Sequence, residues 1–309
     1  MCLRRLSAAF LEQLADVLVC IIAPVIFWLF RQIQSVLHEP QLIFMNHEEW
    51  YDAIFVHYEV DADRLQRALP SGLRVDLLDG KAYVGLVFLT EGGIRPGSLE
   101  SSTFLELSHH AMNVRTYVVN EEGQKEPGVY FLSLDCTSTL ASLGARGIFG
   151  LPYTLASCTR QSCGEEDAWQ RQRFSGSRCS SQGAASAEVA VAVMRSKAQK
   201  RDRVSDFLVE RYCLYHRLPY TWLGPPSRLL RGRIQHEPWE LKPVRLEAIN
   251  ETLLSSSCLD QYGVCPLQGE PTHVHFGNTG SVRFAFFAEV DASGDAQSLS
   301  KTPTSDKYS

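Results

Sequence analysis

The chain has 309 residues, of which 45% are hydrophobic and 21% charged, with a formal net charge of −5 at pH 7 and a pI near 6.0. This composition is typical of an ordinary folded protein with a sizeable core. The acidic balance and the lack of a long lysine or arginine run argue against a nucleic-acid-binding protein, and we expect no nucleic-acid partner.

An apolar stretch near the N-terminus, Val17–Phe30, is fourteen residues long and is bounded by Asp16 and Arg31. A membrane-spanning helix needs about twenty apolar residues, so this stretch is short for that purpose. We expect residues 1–45 to form an N-terminal apolar helix and leave two alternatives open. Leu14–Phe30 either associates with a membrane, as an anchor or an interfacial helix, or packs on the protein itself. We expect an intracellular protein, either membrane-associated or cytoplasmic.

The sequence pattern changes at about residue 46, and residues 46–290 are predicted to form a β-rich domain. Alternating apolar residues over Ala53–Val60 predict a strand, and Asp61 caps a short helix after it. Asp79-Gly80 is a two-residue hairpin signal that predicts a turn between two strands. Two more strands are expected in "NVRTYVV" and "GVYFLSLDC".

The second half of this domain continues the pattern. A helix from Ser138 or Thr139 to Phe149 is ended by Pro152, and "DFLVERYCLYH" predicts a helix capped by Asp206. Further strands are expected at Phe174–Arg178, Ala187–Arg195, Leu229–His236, His273–Phe276 and Ser281–Val290. The polar residues 291–309 are expected to be a disordered tail. The pattern predicts an α+β fold, mostly antiparallel β with a few short helices, curled into a barrel or a sandwich.

Several classes of site lack support. No G-x-S-x-G, P-loop or dinucleotide fingerprint is present, and we expect no cofactor. His109 and His110 point to opposite sides of a strand, and the pair His273 and His275 lacks an evident third ligand, so we expect no metal site. The nine cysteines form no C-x-x-C pair and indicate reduced thiols.

Two arginines and one tyrosine remain as candidates for binding. Arg115 and Tyr117 share one face of their strand. On an outer face they are ordinary surface residues, whereas inside a barrel they form a site for a small carboxylate. Arg146 lies at the edge of a helix face defined by Leu140 and Leu143.

His236, close to Trp239, is either an acid–base group or a polar residue within the core.

Seven stretches together resemble the YqjF-like family, a branch of the acetoacetate decarboxylase-like superfamily. They occur in family order over about residues 47–287: "LPSGLRVDLLDGKAYVGLVFL", "NVRTYVVNEEG", "PGVYFLSLDC", "ARGIFGLPYTLA", "DFLVERYCLYH", "RGRIQHEPWEL" and "HVHFGN". The resemblance implies a cone-like, highly curved antiparallel barrel with a central ligand cavity. In the decarboxylases of that superfamily, a lysine next to a second lysine forms a Schiff base with a β-keto acid.

The resemblance also shows where this chain departs from that chemistry. The two lysine positions, which follow a Gly-x-Pro, hold Tyr153 and Thr154. Schiff-base decarboxylation is therefore not expected here. YqjF-like chains also usually carry a Glu where this chain has Ala111, and Glu106 replaces it only if the strand is bulged.

The resemblance assigns ligand binding to Arg115, Tyr117, Arg146 and Tyr153, with Glu106 as a further candidate. The first hypothesis is therefore a binding protein for a small carboxylate or another anion. The alternative is an enzyme of lyase or hydratase type, in which Tyr153 or His236 acts as acid–base and Arg115 with Arg146 clamps the anion. The sequence leaves the oligomeric state open.

Overall fold

The computed structural model describes residues 43–96, 107–121, 126–149, 151–166, 168–180, 183–195, 198–217, 229–285 and 287–290. Residues 1–42 and 291–309, and with them Leu14–Phe30, lie outside the described residues, as does Glu106. Within the described ranges, no helix combines the length and apolar character needed to cross a bilayer.

Strands dominate the described part of the chain. The strands are β1 Ile43–Val60, β2 Leu73–Val75, β3 Ala82–Pro96, β4 Leu107–Asn120, β5 Pro127–Cys136, β6 Tyr153–Glu166, β7 Trp169–Ser180, β8 Gly183–Met194, β9 Cys213–Arg217, β10 Leu229–Gln235, β11 Glu240–Lys242, β12 Val244–Glu251, β13 His273–Ala285 and β14 Ala288–Glu289. The helices are α1 Ala62–Ala68, α2 Thr139–Phe149 and α3 Arg203–Val209, with a π-helical turn at Ser255–Leu259 and a 3-10 turn at Asp260–Tyr262.

The strands form one mixed sheet whose order is β12-β8-β7-β6-β5-β9-β10-β13-β1-β3-β4-β2. Strand β4 also pairs with β5, so the pairings of β5, β9, β10, β13, β1, β3 and β4 return to their starting strand as a ring. Strand β5 is parallel to β6 and β9, and the other pairings are antiparallel. The predicted α+β class, mostly antiparallel with a few short helices, is confirmed.

Among the described residues, the two larger of three buried hydrophobic clusters lie on the two faces of this sheet. Every strand of the ring contributes to one cluster, which therefore lies on the inside of the ring and is called the interior core here. Its members include Ala53, Phe55, Val87, Leu89, Ala111, Tyr117, Val129, Leu214, Leu230, Ile234 and Val282. The opposite faces of β1, β3 and β4 pack against β6, β7 and β8 in the second cluster, the outer core.

Several predicted elements are confirmed, and others need correction. Asp61 caps α1, accepting a hydrogen bond from the Arg64 amide. Asp79 and Gly80 have φ values of 53° and 80° and make the predicted tight turn, closed by a bridge between Leu78 and Lys81. The hairpin itself is wrong, because β2 pairs with β4 rather than with β3.

The predicted helix "DFLVERYCLYH" is also wrong in its extent. Asp202, rather than Asp206, caps α3 through a reciprocal capping box with Ser205. Helix α3 ends at Val209, and the second half of the segment is strand β9. Strand β9 pairs with both β5 and β10, and these tertiary hydrogen bonds override the helical periodicity of the sequence. The two strands predicted between His273 and Val290 are mainly one strand, β13.

Candidate functional site

Strand β4 carries much of the polar chemistry of the interior. Its alternate residues Ala111 and Tyr117 belong to the interior core, so His109, Asn113 and Arg115 share their face. The intervening residues, such as Val114, pack in the outer core. This settles the direction that the alternation alone left open, because Arg115 and Tyr117 point into the ring.

Arg115 and Tyr117 converge on a single acceptor. The Arg115 guanidinium donates to the Leu208 carbonyl at 2.9 Å, and the Tyr117 hydroxyl donates to the same oxygen at 2.8 Å. Leu208 lies in the last turn of α3, where carbonyls have no partner within the helix. Both residues therefore hold the end of α3 against the ring, and Arg115 remains only half-buried.

A second guanidinium flanks the same phenol. Arg211 lies 5.1 Å from the centre of the Tyr117 ring, and Arg115 lies 5.7 Å from it. Asp76 pairs with Arg211 at 2.6 Å, which balances one of the two positive charges. The surroundings of Tyr117 therefore retain a positive field that favours an anion.

His57 completes this end of the interior. Its Nε2 is 2.7 Å from the Tyr117 hydroxyl oxygen, and its ring lies 5.7 Å from that of His275. Complete burial lowers the pKa of His57 well below its usual value, and His275 and Arg115 lower it further. His57 is therefore neutral at physiological pH.

A carboxyl group and an imidazole face each other farther along the same strands. Glu91 of β3 is paired in register with His109 of β4, and the two side chains approach to 3.7 Å. Burial raises the pKa of Glu91 to about 7 and lowers that of His109 to about 4. Within the part of the chain that the structure describes, neither ring nitrogen of His109 makes a hydrogen bond, and nor does Asn113 Oδ1.

The two positions that correspond to the lysine pair face opposite sides. Tyr153 packs against the interior core, while Thr154, the next residue along β6, is 1% exposed and points to the other face. Burial raises the pKa of Tyr153 well above its usual value, and Glu91 and Cys136 raise it further. Tyr153 therefore stays protonated and serves as a hydrogen-bond donor.

Arg146 is half-buried on α2. It follows Ser142, which is 5% exposed, by one turn. The predicted inward face of this helix is wrong, since Leu140 is 58% exposed. The face turned to the protein carries small residues instead, among them Ala141.

His236 belongs to a different group of side chains. Its ring stacks on Tyr212 at 4.5 Å and lies 6.1 Å from Trp50 and 6.0 Å from Trp239. Its Nδ1 is 2.7 Å from the Glu237 carbonyl oxygen. The structure therefore places His236 in an aromatic cluster rather than beside Tyr117, His57 or Glu91.

Neither a metal centre nor an interior amine is found among the described residues. No group of three or more His, Cys, Asp and Glu side chains is arranged to hold a metal ion there. Of the lysines in the same ranges, Lys81 pairs with Glu59 at 2.8 Å, Lys200 is exposed, and Lys242 follows the interior residue Leu241 on the opposite face.

Sequence reasoning missed Glu91, His57 and Asn113, and it read His109 only as a metal candidate. The alternation of side chains along β3 could have identified Glu91. The interior residues Tyr83, Val87 and Leu89 precede it at odd positions of the same strand, so Glu91 shares their face. A buried carboxyl group thus lies on β3, next to the strand on which the resemblance led us to expect one.

The comparisons agree with the resemblance drawn from the sequence. A family model, DUF2071, described as an uncharacterized conserved protein, matches residues 47–279. The uncharacterized protein YqjF of Bacillus subtilis (strain 168) is 27% identical over 249 residues, which cover 79% of this chain and 92% of the relative.

Solved structures of acetoacetate decarboxylase-like proteins share the fold. The enduracididine biosynthesis enzyme MppR complexed with pyruvate is 15% identical, with a TM-score of 0.56 over 82% of this chain and 93% of that one. An acetoacetate decarboxylase-like enzyme from Sphingomonas wittichii RW1 is 12% identical, with a TM-score of 0.55 over 81% and 93%. Acetoacetate decarboxylase from Legionella pneumophila is 15% identical, with a TM-score of 0.50 over 80% and 88%. At these identities the likeness concerns the fold alone.

Proposed function

The chain belongs to the DUF2071 family, and on that premise we propose that it binds a small carboxylate or related anion inside the ring of strands without forming an imine. The fold supports this proposal at the level of a decarboxylase-like ligand-binding or enzymatic scaffold. The choice of an anion rests on the side chains of this chain.

The observation that carries the proposal is a set of buried polar atoms on one face of β4 that make no hydrogen bond among the described residues. They are Asn113 Oδ1, Arg115 Nε and both ring nitrogens of His109. A buried polar group without a partner costs about 1–3 kcal/mol, so such groups are rare in folded proteins. A bound polar ligand offers partners for them.

The sign of the ligand follows from the charges nearby. Asp76 neutralises Arg211, whereas within the described residues Arg115 contacts the neutral Leu208 carbonyl and the faces of Phe55 and Tyr117. A guanidinium in a site of low dielectric favours a carboxylate, which accepts charge-assisted hydrogen bonds from it. Pyruvate, which MppR holds in its complex, is the simplest probe.

Calorimetric titration of the full-length protein tests this proposal. We expect pyruvate and larger oxo and aromatic acids to bind, and their uncharged amides to bind at least tenfold more weakly. Arg115→Met removes a charge-assisted bond, a loss of about tenfold or more in affinity. Arg171→Met, which changes an exposed arginine paired with Glu247 on β12, is the matched control and leaves binding unchanged.

Three results contradict the proposal. The first is that no acid binds. The second is that acids and amides bind equally to the unmodified protein, a comparison that does not depend on how well the Arg115 variant folds. The third is that borohydride traps a lysine adduct with an oxo acid, because the proposal excludes an imine.

A catalyst of lyase or hydratase type is the second candidate, and the position of Tyr153 against the interior core favours it. In this proposal Tyr153 acts as the proton donor, Arg115 and Arg146 hold the anion, and His236, in its separate aromatic cluster, is the weaker candidate. It predicts turnover that survives borohydride treatment in the presence of substrate and is lost in Tyr153→Phe. Turnover retained in that variant contradicts it.

A further inference from the structure

We infer that Glu91 and His109 form a second part of the same site, which takes a neutral hydrogen-bonding group of the ligand at a distance from its carboxylate. The ligand class is then a monocarboxylate that carries a carbonyl or hydroxyl group farther along its chain, rather than a dicarboxylate. This inference rests on the proposed function and gives it a substrate class.

This second part of the site consists of a buried carboxyl group and a buried imidazole. Glu91 and His109 are 8% and 6% exposed, face each other across β3 and β4, and approach to 3.7 Å. His109 is thus more than nine-tenths buried, and its two ring nitrogens form no hydrogen bond within the described ranges. His109 is directed into the interior, where a ligand group provides the partner that its ring nitrogens lack among the described residues.

The two parts of the site lie far apart along β4. Six residues separate His109 from Arg115 along β4, which is roughly 20 Å between their Cα atoms at about 3.3 Å per residue. The residues between them on the interior face include the apolar Ala111, and the neighbouring strand adds Val87 and Leu89. A ligand that reaches both ends therefore has a mostly apolar middle of roughly ten atoms or more, which passes the polar Asn113 on the same face.

The protonation state of Glu91 decides which ligand group it can bind. Among the described residues, the titratable groups shown to act on or face Glu91 include His109, Tyr153 and Cys136. His109 has a pKa lowered to about 4, and the pKa of Cys136 is raised to about 12, so neither titrates near neutrality. Tyr153 likewise stays protonated.

With a pKa raised by burial to about 7, Glu91 changes from a hydrogen-bond donor to an acceptor between pH 6 and pH 8. Protonated Glu91 donates to a carbonyl. Once Glu91 is ionised, its carboxylate attracts the single N–H of neutral His109, 3.7 Å away, and the carbonyl loses both donors, whereas a hydroxyl serves either form of Glu91. A second carboxylate next to Glu91 is disfavoured by repulsion once Glu91 is ionised.

The test is calorimetric titration of the full-length protein with four fourteen-carbon acids: 13-oxotetradecanoate, 13-hydroxytetradecanoate, tetradecanedioate and tetradecanoate. At pH 6 we expect the oxo acid to bind about three- to tenfold tighter than tetradecanoate, which corresponds to one added hydrogen bond. At pH 8 the oxo acid loses this advantage and the hydroxy acid keeps it. The diacid binds more weakly than either at pH 8.

Glu91→Gln supplies a carboxamide donor at every pH. In that variant we expect the oxo acid to keep its advantage at both pH 6 and pH 8, a rescue that a purely structural role for Glu91 does not produce. Glu188→Gln, on the exposed face of β8, is the matched control and retains the pH dependence of the unmodified protein.

The outcomes separate the two proposals. If the four acids bind equally, or if oxo and hydroxy acids share one pH dependence, the second part of the site is wrong while anion binding stands. If no acid binds at either pH, the proposed function fails. The comparison of oxo and hydroxy acids on the unmodified protein decides the matter if the Glu91 variant does not fold.

Discussion

His57 donates a hydrogen bond from Nε2 to the hydroxyl oxygen of Tyr117, across 2.7 Å in the interior of the ring. The direction follows from the next contact. The Tyr117 hydroxyl is 2.8 Å from the Leu208 carbonyl, which only accepts, so the one phenolic proton is directed there. His57 therefore carries its hydrogen on Nε2, and a short chain of bonds connects β1, β4 and the end of α3.

Removal of the Tyr117 hydroxyl tests this chain of bonds. Tyr117→Phe leaves the His57 N–H without its partner in a fully buried place, and we expect a loss of about 1–3 kcal/mol in the free energy of unfolding. Urea denaturation measures this. Tyr212→Phe removes a hydroxyl from a residue that is 41% exposed and is expected to cost less than about 0.5 kcal/mol. Equal losses in the two variants contradict the assignment.

The same residues show what the sequence supplied and what it did not. Alternation along "NVRTYV" placed Arg115 and Tyr117 on one face, because side chains in a strand alternate strictly. Whether that face was inside or outside depended on how β4 pairs with β3 and β5, and local periodicity does not contain that information. The family resemblance supplied the curved sheet, and the structure supplied the partner at Leu208.

The elements that sequence reasoning missed have a common physical cause. Strand β9 has helical periodicity in its sequence, yet it pairs with two strands distant along the chain. A carboxylate was expected on β4, whereas Glu91 lies on the neighbouring strand β3, with its Cα opposite that of His109. Both depend on long-range pairing, which overrides local propensity.

The free energy of unfolding is expected to report the titration of Glu91. Its pKa is about 7 in the folded protein and near 4.5 when exposed, so the folded state holds an extra proton between these values. The free energy of unfolding therefore falls as the pH rises through this window. His109 and His275, with pKa values lowered to about 4, have the opposite effect.

Comparison with Glu91→Gln isolates this contribution, since the histidine contributions are present in both proteins. From pH 5 to pH 8 we expect the unmodified protein to lose stability relative to the variant, by on the order of 3 kcal/mol. Urea denaturation at the two pH values measures it. Parallel pH profiles for the two proteins are inconsistent with a raised pKa at Glu91.

A buried ion pair ties β5 to β7 behind the interior. Arg178 and Asp135 are 2.8 Å apart with side chains only 1% and 0% exposed, and Arg178 also donates to Ser256 Oγ at 2.8 Å. Arg178→Met leaves a buried carboxyl group without its partner, and we expect a loss of about 3–5 kcal/mol. Joint replacement with Asp135→Leu recovers part of it.

The exposed pair of Arg171 and Glu247 provides the comparison for this prediction. Its side chains are 46% and 35% exposed, and Arg171→Met is expected to cost less than about 1 kcal/mol. Chemical denaturation measures all three variants. A double variant less stable than Arg178→Met alone contradicts the prediction, because it implies that the carboxyl group stabilises the fold without its arginine.

Tyr153 and Thr154 point to opposite faces of β6. We therefore expect a lysine introduced at only one of these positions to react with an oxo acid. A lysine in place of Tyr153 enters the interior, where burial lowers its pKa and favours the nucleophilic free amine, while Glu91 has the opposite effect once it is ionised. We expect Tyr153→Lys, treated with pyruvate and borohydride, to gain the mass of one reduced imine at residue 153, as measured by peptide mass spectrometry. Thr154→Lys is the matched control, because that side chain lies on the other face of β6 at 1% exposure and forms no adduct. Equal labelling at the two positions, or labelling of the unmodified protein, means that the ring interior does not distinguish them as described.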